Sequence, residues 1–366
     1  PNPMKDANRD SKSFGHGRGY LYPHAYRDHW VEQQYLPGSL QGQVFYQPSS
    51  QGYEDSIRQQ VAQRREAQLA ALVEGEVGLP EVLSFSPANQ AQDRWLQRAM
   101  GELGEQLRGV CDHVFTQLMP QRHHVILDLN ASSGLLTWEA VRQVPEGGVY
   151  SCVRSSQDHA ALTEQAMMLS ELSRPVLLQS DLNGLAKVLA EQAPDVCFDG
   201  IIGRNALMAD PDKAKAIAQI ASHLSPKGRI VLAEAIPRRA QRLYALLDEG
   251  HLKPRLYQKL KTAEDSIYAN SDDALVNWDE TDLVREFENL SFAVTTTVEA
   301  MTTPMTVTEA LLDRWFGDHS RYLAHLGKGL TPEELQTVRR AFVKQLRHQT
   351  ITWQRWILFL VASMGV

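Results

Sequence analysis

His124-Val-Ile-Leu-Asp-Leu-Asn-Ala-Ser-Ser-Gly-Leu-Leu-Thr-Trp138 has the order of a buried strand, a tight turn and the opening of a helix. Residues 125–129 are apolar except for Asp128, the pattern of a parallel strand covered on both faces. Ala131, Ser132, Ser133 and Gly134 are small enough for a backbone turn to pass close to a ligand, and residues 135–142 continue with helical character. The free N–H groups of that helix start then face whatever lies in the turn. This is the geometry of a nucleotide-binding turn in a doubly wound sheet.

Outward from this stretch the chain alternates strand and helix, which implies a parallel sheet. A helix with apolar residues at spacings of three and four runs from Gln90 to about Leu118, just before the first strand. Further strands are Val149-Tyr-Ser-Cys-Val153, Pro175-Val-Leu-Leu-Gln-Ser-Asp181, Val196-Cys-Phe-Asp-Gly-Ile-Ile202 and Arg229-Ile-Val-Leu-Ala-Glu234. Residues 290–298 and 351–360 suit a sixth and a seventh strand, with helices over 308–347 between them. Trp315, Trp353 and Trp356 are expected to fill the interface between sheet and helices.

The spacing Asp128-x-Asn130-x-Ser132-x-Gly134 resembles the first motif of class I S-adenosylmethionine-dependent methyltransferases, an acidic residue followed by Gly-x-Gly-x-Gly. The aspartate ending the third strand, the Phe-Asp-x-Ile fourth strand and the Leu-x-Pro-x-Gly approach to the fifth resemble later landmarks of that family. The resemblance covers roughly residues 90–247. It implies an α/β, seven-stranded Rossmann-like fold in the order 3-2-1-4-5-7-6 with only the seventh strand antiparallel. It also implies S-adenosylmethionine as cofactor, with Asp128, Asn130, Ser132, Gly134, Arg154, Asp181 and Asn205 at the cofactor positions. Asn130 and Ser132 stand where the family has its first two glycines. The second strand ends on Val153 and Arg154, where the family has a carboxylate for the ribose hydroxyls. An arginine cannot accept those hydrogen bonds and sets a positive charge near a sulfonium. Asp181 fits an adenine contact and a helix N-cap about equally well. Residues 204–207, Arg-Asn-Ala-Leu, are not the Asn-Pro-Pro-Tyr of amino-group methylases. Glu234 lies at the correct edge for catalysis, and no general base is assigned.

The first fifty residues have little helical or strand period. They contain Phe14-Gly-His-Gly-Arg-Gly-Tyr-Leu-Tyr-Pro-His24, Trp30-Val-Glu-Gln-Gln-Tyr-Leu-Pro37, Phe45-Tyr-Gln-Pro48 and Gly52-Tyr-Glu54. This succession resembles the extreme C-terminal end of the replication-associated recombination protein A family. These are AAA+ ATPases that include the Werner helicase-interacting protein. No Gly-x-x-x-x-Gly-Lys-Ser/Thr phosphate loop is present, so this chain alone is not the ATPase. Five Lys/Arg against four Asp/Glu in the first fifty residues favour tyrosines that pack the segment over tyrosines that stack on single-stranded DNA. The expected organisation is an ATPase tail and connecting helix over 1–76, a linker over 77–89, and a methyltransferase-like domain over 90–366 with a helical insertion at about 300–350.

A formal net charge of −7 excludes a global attraction to nucleic acid and leaves any such contact to a local patch. Cys111, Cys152 and Cys197 lack metal-ligand spacing and suit reduced core positions in a cytoplasmic protein. His123-His124 suits the lead-in to a strand better than a metal site, and no metal is expected. No membrane span is expected. The chain begins with Pro1, which suits a fragment or a processed chain. Three functions fit these residues. The leading one is a C-terminal fusion part whose methyltransferase-like domain is a binding or regulatory module, with DNA or replication-fork proteins as partners of the full-length protein and homo-oligomers open to it. The second is an active methyltransferase with an altered pocket. The last is a dinucleotide dehydrogenase, which lacks both Gly-x-Gly-x-x-Gly and an acidic end to the second strand.

Overall fold

The computed structural model describes residues 48, 51–77, 103–167, 169–208, 210–248, 250–270 and 273–364. The expectations for the N-terminal fifty residues, for the linker beyond Val77 and for the helix start at Gln90 lie outside the described residues. The strands are β1 Val125–Asp128, β2 Gly148–Val153, β3 Val176–Gln179, β4 Phe198–Arg204, β5 Leu224–Ala235, β6 Phe292–Thr306 and β7 Thr350–Met364. The helices are α1 Gly52–Val77, α2 Leu103–Leu118, α3 Leu135–Gln143, α4 Ser156–Ala166, α5 Leu182–Gln192, α6 Lys213–Ala221, α7 Pro254–Tyr268, α8 Glu280–Asn289, α9 Glu309–Phe316, α10 Arg321–Leu326 and α11 Pro332–Leu346.

The strands form one sheet in the order β3-β2-β1-β4-β5-β7-β6. β1 to β5 pair in parallel, and β7 runs antiparallel to both β5 and β6. This is the topology that the methyltransferase resemblance implies. Alternate residues of each strand face opposite layers, as the period of two requires. Ile126, Ile202, Val231 and Phe359 pack beneath α2 and α3. Leu127, Ile201, Leu232 and Leu358 pack against α5, α6 and α8. All eight are buried, which is why the strands read as nearly unbroken apolar runs.

Two findings depart from the sequence expectations. Cys111 and Cys152 are buried, but Cys197 is exposed, because it precedes β4 in the approach loop and is not part of the sheet's alternation. The sixth strand is also longer than the expected 290–298: β6 extends to Thr306 and pairs with β7 along its whole length, and the helices that follow begin at Glu309, in keeping with the expected 308–347.

β5 leaves β7 at Ala235, opposite Ile357, so the β6–β7 ribbon continues past the carboxyl edge of the parallel strands. A second hydrophobic core sits on this extension. It joins α7 and its flanking loops, which interrupt the chain between β5 and β6, to α9, α10 and α11 and to Trp353 of β7. Trp315 and Trp353 stack there with ring centroids 6.2 Å apart, while Trp356 packs against the sheet core. Glu264 ties this unit together. Its carboxylate is buried and accepts from the Leu243 and Tyr244 N–H groups and, at 2.7 Å, from the Tyr322 hydroxyl. Burial pushes its pKa up to about 7 despite those bonds.

Candidate functional site

The carboxyl ends of β1, β2, β4 and β5 meet at one edge of the sheet, where open α/β sheets place their ligands. The turn after β1 is built from inside. Asp128 Oδ1 accepts from the Asn130 N–H at 3.1 Å, and Oδ2 accepts from the Thr137 hydroxyl at 2.8 Å. Thr137 also lies 3.0 Å from the Ser151 hydroxyl of β2. Burial pushes the Asp128 pKa up to about 6, opposed by these hydrogen bonds. Gly134 ends the turn with φ 73°, and a Cβ there would stand 2.3 Å from the Trp138 Nε1. Only glycine meets both demands.

Arg154 leaves the end of β2, and its Nη2 donates to the Ala206 carbonyl in the loop after β4 at 2.5 Å. Because β1 lies between β2 and β4, the guanidinium reaches past the end of β1. Asn130 bridges the same gap from the turn: its Nδ2 donates to the Arg204 carbonyl at 2.9 Å and lies 3.4 Å from that of Asn205. Asn205 has φ 48° and pins itself to β5, its Oδ1 accepting from the Ala235 N–H at 3.0 Å. Ser132 is partly buried on the turn.

Glu234 closes the arrangement from β5. Its Oε1 accepts from the Ala206 and Leu207 N–H groups at 2.7 and 3.2 Å, and its Oε2 is buried with no hydrogen-bond partner. Burial pushes its pKa up to about 7, against the backbone bonds and the nearby charges of Arg154 and Lys213. Arg204 is moved the other way, down to about 10, by burial and then by the charge of Arg355. The edge therefore holds several cations around the buried carboxyl group of Glu234.

Of the seven sequence candidates, Asp128, Asn130, Ser132 and Gly134 form the turn, and Arg154 and Asn205 join it through the loop after β4. Asp181 stands apart, exposed at the end of β3, where its Oδ1 caps α5 by accepting from the Gly184 N–H at 2.8 Å. Asp199 is structural, accepting from the Val125 N–H and the Ser225 hydroxyl. His124 accepts from the Gln121 N–H through Nδ1, in keeping with a strand lead-in. Among the described residues no group of three His, Cys, Asp or Glu is placed to hold a metal. Sequence reasoning noticed Glu234 but missed its grip on the β4 loop, for which an isolated Glu at a strand end gives no signal.

Residues 1–65 match the family model MgsA AAA+ ATPase C terminal. Over 62 residues the chain is 42% identical to replication-associated recombination protein A of Bacillus subtilis strain 168, which covers 17% of this chain and 15% of that protein. The chain thus spans about 15% of the length of this curated relative. Among solved structures, the YcgJ protein of Bacillus subtilis is similar with a TM-score of 0.44 and 14% identity, over 71% of this chain and 100% of that one. A geranyl diphosphate methyltransferase, solved with GPP and sinefungin, is similar with a TM-score of 0.42 and 11% identity, over 81% of this chain and 92% of that one. The ATPase-family segment therefore precedes the seven-stranded sheet, and α1 begins within it.

Proposed function

We propose that this chain is the C-terminal part of a replication- and recombination-associated AAA+ ATPase whose methyltransferase-like domain acts as a binding or regulatory module and no longer uses S-adenosylmethionine. The observation that carries this reading is the Arg154 guanidinium at the end of β2, bonded across to the Ala206 carbonyl. S-adenosylmethionine would need an acceptor there for its ribose hydroxyls, and its sulfonium is repelled by a guanidinium. Asn130 adds bulk on the same line by spanning from the β1 turn to the Arg204 carbonyl. Asn130, Ser132 and Arg154 thus do not fit the cofactor that the fold family implies. DNA or replication-fork proteins are the partners this reading assigns to the full-length protein. Among the described residues no helix is long and apolar enough to cross a membrane.

The rival reading, an active methyltransferase with an altered pocket, draws on Asp181, an exposed carboxylate that the family resemblance assigns to the adenine. Calorimetric titration with S-adenosylmethionine and with its demethylated product separates the two. A non-binding module gives no saturable heat. A micromolar dissociation constant for the unmodified chain overturns the proposal and returns the protein to the enzymes.

A further inference from the structure

We propose that α1 is a rigid lever that couples the ATPase-family segment to the turn after β1. The family match ends at residue 65, yet α1 runs unbroken from Gly52 to Val77, so one helix belongs to both parts of the chain. The first residue beyond the match is Glu66. Its two carboxylate oxygens accept from Nη1 and Nη2 of Arg142, each at 2.6 Å. Arg142 donates to Glu139 as well, through Nε at 2.9 Å and Nη2 at 2.6 Å, and Gln143 holds the other oxygen of Glu139. One turn further along α1, Ala70 is fully buried with Leu107, Val110 and Leu136.

This contact fixes the register of α1. A planar guanidinium held on two sides by carboxylates has one geometry, and sliding the helix by one residue turns Glu66 through about 100° and breaks the pair. The side chains of Glu66, Arg142 and Glu139 are only 18%, 22% and 9% exposed, so water is a poor substitute for the lost partner.

The same short helix carries both ends of the connection. Arg142 sits in the last turn of α3 and Thr137 in its first, and Thr137 holds Asp128, which holds the Asn130 N–H. At about 1.5 Å per residue, α3 is too short to absorb a displacement by bending. A shift of α1 is therefore delivered to the turn at the carboxyl edge of the sheet. By linkage, whatever binds at that edge biases the position of α1.

Hydrogen exchange read by mass spectrometry on the full chain tests this. The variants are Glu66→Gln, which keeps the shape and removes the charge, Arg142→Lys, which keeps the charge and removes the fork, and Arg142→Met. In the intact chain the turn amides are engaged, Leu129 with the Ile202 carbonyl and Ala131 with that of Cys152. Loss of the pair should speed exchange by about threefold or more both in residues 60–77 and in residues 129–134, with β6 unchanged. Faster exchange in α1 alone would show a docked helix without coupling and overturn the proposal. If Arg142→Met accelerates exchange everywhere, Glu66→Gln and Arg142→Lys decide, and wild-type rates at 129–134 in both overturn it.

Discussion

Replacing Glu234 with glutamine should make the protein's stability less dependent on pH, because the carboxyl group is buried where its charged form is disfavoured. The folded-state pKa is about 7 against an ordinary 4.5, with burial as the dominant cause. Below pH 4.5 the group is protonated in both states and contributes nothing to the pH dependence. Between pH 4.5 and 7 the unfolded chain releases its proton while the folded one keeps it, so stability falls as pH rises. At about 1.4 kcal/mol per pH unit, a gap of about 2.5 amounts to roughly 3 kcal/mol lost by pH 8. Glutamine has no such transition, and its Oε1 can still accept from the Ala206 and Leu207 N–H groups that Glu234 holds. The assay is urea unfolding of the wild-type chain and Glu234→Gln at pH 4 and pH 8. Asp128 and Glu264 also have raised values, but they titrate alike in both proteins and cancel in the difference. Glu234→Gln should gain on wild type by roughly 3 kcal/mol between the two pH values. An equal gap at pH 4 and pH 8 would refute the buried, proton-holding role.

Restoring glycine at 130 and 132 and placing aspartate at 154 should create S-adenosylmethionine binding measurable by calorimetry. One regained hydrogen bond to a charged group, worth roughly 1.5–3 kcal/mol, is on the order of tenfold to a hundredfold in affinity. Gly134→Ala should destabilise the domain by about 1–3 kcal/mol in urea titration, since a Cβ meets the Trp138 indole and the backbone is left-handed. A change under about 0.5 kcal/mol would mean that the turn relaxes freely. Tyr322→Phe should cost about 1.5–3 kcal/mol by the same measurement, because it removes a hydroxyl donor from the buried Glu264. Its effect should be smaller at pH 5 than at pH 8, where Glu264 is the better acceptor.

Much of the fold was legible in the chain because its signals are local. Nearly unbroken apolar runs mark the strands, small residues mark the turn after β1, and Asp181, which suited an adenine contact and a helix start equally, is the N-cap of α5. The strand order followed from those elements once the methyltransferase resemblance supplied their connection. Residues 243–276 were not legible, because their apolar positions complete a core only with helices that arrive after β6. The exposure of Cys197 was hidden for a similar reason. An apolar neighbourhood in sequence does not say on which side of a strand's first residue the buried ladder begins.

The sequence by itself determined which residues stand at the carboxyl edge: an arginine and not a carboxylate after β2, an asparagine and a serine in place of two glycines. Where those side chains go was settled by the tertiary structure. Arg154 meets Ala206 across 52 positions of chain, and Glu66 meets Arg142 across 76. Neither pair has a periodicity that could announce it. Both exist because the sheet places β1 between β2 and β4 and because α1 packs against α3, and long-range hydrogen bonds are set by that packing and not by the local preferences of either partner.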